Sequence, residues 1–83
     1  RKAHNIYGTQ MARATYHGVK RFAYPKRPFV ITRSAYAGAQ RYTSSWTGDN
    51  VATWEHLWLA NIQVRRMTIS GMGFTGSDIG GFA

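Results

Sequence analysis

Small and hydrophobic side chains recur at spacings of three and four between Asn5 and about Phe22. This period is that of an amphipathic α-helix, and Lys20 and Arg21 in the last turn complement the negative end of the helix dipole. Asn5 is the expected N-cap, because its side-chain oxygen can accept a hydrogen bond from a free backbone N–H of the first turn. Pro25 cannot continue a helix, so the pattern predicts that the helix ends before it.

Three short segments predict strands. Residues Phe29–Thr32 form a continuous apolar run without alternation, which favours a parallel strand covered on both faces. Ser34–Gln40 is predicted to be a loop of small residues, and Tyr42–Trp46 a second short strand. Phe74–Asp78 predicts a third strand, rich in glycine and followed by a loop.

A second helical pattern runs from about Val51 to Met67, with Asn50 as its expected N-cap. Arg65 and Arg66 suit its carboxyl end, and Gly71 is expected to stop it by turning left-handed. Its predicted packing stripe comprises Trp54, Leu57, Ala60, Val64 and Met67. The order helix, strand, strand, helix, strand is typical of an α/β fold with a parallel sheet.

Composition narrows the classes of protein and site that fit this pattern. A chain of 83 residues buries only about 60% of the surface that it exposes when unfolded, and without cysteine it has no disulfide to compensate. The histidines and carboxylates are too scattered to form a metal site, so neither a metal nor another cofactor is expected. The longest mostly apolar run, Val51–Val64, is broken by polar and charged residues, so no membrane partner is expected.

The net charge of +8 suggests an alternative function, a small basic module that binds nucleic acid. Arg13, Lys20 and Arg21 could form its cationic face, with Tyr16 and Tyr24 available to stack on bases. The basic residues do not continue as one stripe through the second helix. This weakens the alternative, and no nucleic-acid partner is expected.

A charged side chain follows each predicted strand: Arg33, Asp49 and Asp78. Because the carboxyl ends of parallel strands share one edge, these groups are expected to converge and to suit a polyol or phosphate substrate. The residues alone leave a structural alternative open for each. Asp49 could cap the second helix, Asp78 could hold a turn, and Arg33 could be a salt-bridge partner.

The segments around these residues form an ordered set of short motifs. They are His4–Gly8, Arg27–Ser34 with its continuation Ala37–Tyr42, Trp46–Asn50, Trp54–Leu57 and Gly76–Phe82. Their order and separations closely resemble glycoside hydrolase family 31, the α-glucosidase and α-xylosidase family, over essentially the whole chain.

The resemblance implies a partial (β/α)8 TIM barrel with about three strands and two main helices. It makes residues 1–83 a fragment of one catalytic domain, with no complete domain, and makes the remainder of the barrel a necessary partner. The implied activity is that of a retaining glycosidase that hydrolyses α-glucosides or α-xylosides, with an oligosaccharide or glycoside as substrate.

The resemblance also implies a role for five residues. Asp49 matches the family's general acid/base, and Arg33 matches the arginine that contacts the sugar at the cleavage site. Trp46 matches an aromatic residue that walls the same subsite. Asp78 and Phe82 match a block that lines or supports the pocket floor.

The second catalytic carboxylate is not expected in this sequence. Retaining hydrolysis uses two carboxyl groups about 5–5.5 Å apart, one as nucleophile and one as acid and then base. The family's nucleophile belongs to a separate block, Trp-x-Asp-Met-Asn-Glu or similar, that this sequence lacks. Asp78 is not expected to replace it, so the resemblance implies that the chain alone is inactive.

Overall fold

Two long helices and three short strands follow one another in the order that the hydrophobic pattern predicts. The computed structural model describes all residues from 1 to 83. Its elements are α1 (His4–Phe22), β1 (Ile31–Thr32), a 3₁₀ turn (Ala39–Arg41), β2 (Ser44–Trp46), α2 (Trp54–Ile69) and β3 (Thr75–Gly76). The 3₁₀ turn overlaps the predicted loop, and each strand is shorter than predicted.

The three strands form one parallel sheet in the order β1-β2-β3. Ile31 lies opposite Ser44, and Ser45 lies opposite Thr75. Backbone pairing begins just before the strands, since the Ser44 N–H donates to the Val30 carbonyl oxygen at 2.9 Å. All three carboxyl ends therefore reach the same edge of the sheet, as the sequence predicted.

Helix α1 begins without the predicted cap. His4 is already helical, and Asn5 lies within the first turn, so its prediction as N-cap is wrong. The N–H groups of His4 and Ile6 instead donate to the carbonyl oxygens of Arg1 and Ala3, each at 3.2 Å. These tight turns satisfy donors that a side chain would otherwise have to satisfy.

Helix α2 begins three residues later than predicted, at Trp54 rather than Val51. Thr53 is its N-cap, because its Oγ1 accepts a hydrogen bond from the His56 N–H at 3.1 Å. The prediction of Asn50 as N-cap is wrong, since the side chain of Asn50 donates elsewhere. Gly71, with φ of +99°, follows the end of α2 as predicted. Neither helix combines the length and apolar character needed to cross a membrane.

The core of the chain is very small. Its buried hydrophobic residues are Ala12, Ala39 and Ala60, one each from α1, the 3₁₀ turn and α2. Of the predicted stripe of α2, Ala60 is buried, Val64 and Met67 are half-buried, and Trp54 and Leu57 are exposed. Trp54 stays 86% exposed, and β3 is the element against which α2 mainly packs.

The prediction that the first strand is covered on both faces is wrong for this chain. Phe29 is 66% exposed and Ile31 is 52% exposed. Both line an open depression of about 640 Å³ that also includes Phe74 and Trp46. An apolar sheet surface open to solvent is what the interior wall of a barrel looks like when the opposing strands are not present.

Candidate active site

The loops after β1 and β2 bring a cation and an anion together at the carboxyl edge of the sheet. Arg33 directly follows β1, and Asp49 lies three residues beyond β2. Arg33 Nη1 lies 3.3 Å from Asp49 Oδ2, and this pair is the only salt bridge in the chain. The side chains are 60% and 43% exposed, so a ligand could reach both.

Gly48 makes room for this pair. It is buried and has a φ of +85°, a left-handed conformation that favours glycine. The Arg33 guanidinium lies against it: a Cβ at Gly48 would come within 2.8 Å of Arg33 Nε. The turn therefore directs Asp49 toward Arg33 and leaves space for the guanidinium.

Asp49 has no capping role. Thr53 caps α2, and the Asp49 carboxylate has Arg33 as its only hydrogen-bond partner in the chain. The structural alternative for Asp49, as the cap of the second helix, is therefore wrong. For Arg33, the structural alternative of a salt bridge is what the structure shows, and the partner is the predicted catalytic residue.

Trp46 lines two cavities, one shared with Asp78 and the other shared with Arg33. It is the last residue of β2 and is half-buried. Trp46 and Asp78 line the depression of about 640 Å³, whereas Trp46 and Arg33 line a second cavity of about 360 Å³. Trp46 therefore borders both cavities.

The segment that contains Asp78 and Phe82 is held to the β2 loop by main-chain hydrogen bonds and by the side chain of Asn50. Asn50 Nδ2 donates to the Asp78 carbonyl oxygen at 3.0 Å, and the Phe82 N–H donates to the Asn50 carbonyl oxygen at 2.9 Å. The Asp78 carboxylate takes part in no salt bridge, and the Phe82 ring is 66% exposed. The structure thus joins Arg33 to Asp49 directly, while Asp78 shares a depression with Trp46 and Phe82 is placed by its backbone.

Sequence reasoning missed three contributors to the site. Asn50 joins two loops, Thr53 caps α2, and His56 Nδ1 accepts the Val51 N–H at 2.8 Å. A signal existed for Thr53, a favoured capping residue directly before the helical pattern. The Asn50 contact joins two loops 28 positions apart, which no local pattern encodes, whereas the His56 contact is local, to a residue five positions earlier. The chain has no cluster of three histidine, aspartate or glutamate side chains that could hold a metal ion.

Comparison with known proteins identifies the family of this chain. Residues 1–83 match the TIM-barrel domain of glycosyl hydrolases family 31. The chain belongs to that family. It is 47% identical over 83 residues to "Alpha-glucosidase 2" of Bacillus thermoamyloliquefaciens, with all of this chain and 10% of the relative covered. The chain spans about a tenth of the length of the curated relatives that it matches.

Solved family 31 structures contain the same arrangement of helices and strands. The family 31 α-glucosidase of Bacteroides thetaiotaomicron superposes with a TM-score of 0.90 at 44% identity, covering 94% of this chain and 13% of that one. The Glc1Man2-bound glucosidase II alpha subunit gives 0.90 at 41% identity, covering 96% and 9%. The prediction of a partial (β/α)8 barrel with three parallel strands and two helices is confirmed.

Proposed function

We propose that this chain is part of the catalytic barrel of a retaining α-glucosidase and carries its general acid/base, Asp49. The observation that carries the proposal is the Arg33–Asp49 pair, which is exposed at the carboxyl edge of the sheet and has no structural duty in capping. The active sites of (β/α)8 barrels form at this edge. The names of the family 31 relatives favour α-glucosides over α-xylosides as substrates.

Asp49 would act twice in the proposed mechanism. As an acid it donates a proton to the glycosidic oxygen while a carboxylate attacks the sugar from the opposite face, and as a base it later takes a proton from the attacking water. The nucleophile would come from the remainder of the barrel. Asp78 supports the pocket in this proposal and does not replace the nucleophile.

Arg33 and Trp46 would hold the sugar beside Asp49. The guanidinium has five donors in a fixed fork, and its 60% exposure lets hydroxyl groups reach it without any unfolding. The half-buried indole offers a flat apolar wall for one face of the pyranose ring and excludes water there. Asp78 and Phe82 would support the pocket floor through the segment that Asn50 fixes.

The nucleic-acid alternative, which rests on the positive charge and on the nearby Tyr16 and Tyr24, is not proposed. The family match extends over every residue that contributes to the charge of +8.

The first prediction tests Asp49 in the full-length enzyme. Asp49→Ala should lower kcat/KM for a glucoside with a poor leaving group about 10²–10⁴-fold, because the leaving oxygen loses its proton donor. An activated glucoside, whose leaving group needs no proton, should lose much less. Steady-state kinetics on both substrates measure the difference.

Glu55→Ala is the matched control, since it removes the same charge from an exposed residue in the first turn of α2. It should leave both substrates close to the parental rates. Turnover of the poor-leaving-group glucoside at the parental rate by Asp49→Ala would contradict the proposed role.

The second prediction concerns the proposal that residues 1–83 form no complete domain. Only 6 of the 83 residues are buried, and no large side chain is fully buried. The isolated chain should therefore show no sharp thermal transition by near-ultraviolet circular dichroism and should bind a hydrophobic dye. A cooperative, reversible transition without dye binding would show that the chain folds as an independent unit.

A further inference from the structure

We propose that Gly48 is a positioning residue that sets the location of the Arg33 guanidinium and, through it, the orientation of the Asp49 carboxylate. This inference rests on the proposed function, because it concerns the same site. Gly48 touches neither the substrate nor the reacting atoms in this account. Its effect comes from the side chain that it lacks.

The contacts around Gly48 show what a larger residue would displace. A Cβ there would lie 2.8 Å from Arg33 Nε, 3.2 Å from Nη2 and 3.3 Å from Cζ, and all three atoms belong to the guanidinium group. These atoms are the far end of a flexible side chain that is 60% exposed. The guanidinium would therefore move aside, while the backbone of the loop could stay in place.

At two other glycines, Gly8 and Gly81, an added Cβ would meet main-chain atoms instead of the end of a side chain. A Cβ at Gly8 would lie 2.6 Å from the Ser34 carbonyl oxygen, and one at Gly81 would lie 2.6 Å from the Ala52 backbone nitrogen. Main-chain atoms cannot move aside as a side chain can, so substitution at these two positions should affect the fold. Substitution at Gly48 should affect the site first.

The hydrogen bond between Arg33 and Asp49 is already long, so a movement of the guanidinium can weaken it. Arg33 Nη1 and Asp49 Oδ2 are 3.3 Å apart, longer than the usual charge-assisted distance of about 2.7–2.9 Å. Relief of a 2.8 Å contact at Arg33 Nε requires a shift of several tenths of an ångström at least, which is as large as the margin that remains before the Arg33–Asp49 hydrogen bond is too long. Misplacement of a catalytic group by about 1 Å can lower the rate 10²-fold.

A double-mutant cycle in the full-length enzyme tests the inference. Gly48→Ala, Arg33→Ala and the double variant are compared by kcat/KM on an α-glucoside with a poor leaving group, whose cleavage depends on Asp49, and by the inhibition constant of glucose. Gly48→Ala alone should lower kcat/KM about 10²-fold and weaken glucose binding. In the Arg33→Ala background the same change should cost less than about threefold, because the group that it displaces is already gone.

Gly71→Ala is the matched control for backbone strain. Gly71 has a φ of +99°, and its Cβ would meet only the Gln40 side chain, at 3.6 Å. Gly71→Ala should therefore lose the stability that a left-handed alanine costs, while Arg33 stays in place. Kinetic losses in Gly71→Ala should stay within about threefold, in contrast to Gly48→Ala.

Three outcomes would overturn the inference. One is a Gly48→Ala loss of the same size with and without Arg33. Another is an equal loss in Gly71→Ala. The third applies if Gly48→Ala does not fold. The double variant should then still fold, with its unfolding midpoint lowered no more than in Gly71→Ala. If the double variant also failed to fold, Gly48 would be needed for the backbone conformation rather than for the placement of Arg33. A parent enzyme without α-glucosidase activity, or one insensitive to Asp49→Ala, would refute the proposed function instead.

Discussion

Two junctions at the carboxyl edge of the sheet are held together by different kinds of contact. Between the loops after β1 and β2, the connection is one ion pair of exposed side chains, Arg33 and Asp49. Between the loop after β2 and the segment after β3, three main-chain hydrogen bonds and one from the Asn50 side chain form the connection. Asn50 and Ala52 exchange hydrogen bonds with residues 78–83 at distances from 2.7 to 3.3 Å.

The difference separates the adjustable part of the site from its fixed part. An exposed ion pair contributes about 0–1 kcal/mol and can be exchanged for contacts with a ligand. Main-chain hydrogen bonds between loops fix the path of the chain, and two left-handed glycines, Gly80 and Gly81, let the segment after β3 approach the β2 loop. The residues proposed to meet the reacting bond thus belong to the adjustable junction, and those proposed to support the pocket belong to the fixed one.

The largest expected effect on stability comes from Gly81→Ala at the fixed junction. Its Cβ would lie 2.6 Å from the Ala52 nitrogen and 2.7 Å from the Ala52 Cβ, and its φ is +88°. Steric overlap and left-handed strain together should cost about 3 kcal/mol. Thermal unfolding of the full-length enzyme measures the loss as a lower midpoint.

The neighbouring Gly80→Ala separates these two causes. Gly80 has a similar φ of +92°, but a Cβ there would meet nothing within 4 Å. It should therefore cost only the left-handed strain, about 1–2 kcal/mol. Equal shifts in the two variants would mean that the close approach of Gly81 to Ala52 does not hold the junction.

Local sequence patterns predicted the elements better than the contacts between them. The helical periods located α1 and α2 to within three residues at either end, because the period of an amphipathic helix is visible in the sequence itself. The caps were predicted wrongly at both helices. Asn5 and Asn50 are good capping residues by type, but Asn50 forms a hydrogen bond to Asp78, 28 positions along the chain.

The candidate site was predicted only in part, because local patterns show which residues follow the strands but not which of them are in contact. Charges after the strands indicated that Arg33, Asp49 and Asp78 share one edge, and the structure brings the first two into contact. The position of Gly48 against Arg33 was not predicted. Its contact with the Arg33 side chain depends on the distance between two loops, which no local pattern contains.

The smallest expected effect on stability comes from Arg33→Gln at the adjustable junction. The variant removes the only salt bridge of this chain, between side chains that are 60% and 43% exposed, so the change should be about 0–1 kcal/mol. Activity should respond very differently, with kcat/KM for α-glucosides lower by about 10²-fold, since both the sugar contact and the partner of Asp49 are lost. Arg65→Gln removes an exposed arginine from α2 and should change neither quantity. If Arg33→Gln lowered the unfolding midpoint as much as Gly81→Ala does, the two junctions would be equally structural, and the division between an adjustable and a fixed side of the site would be wrong.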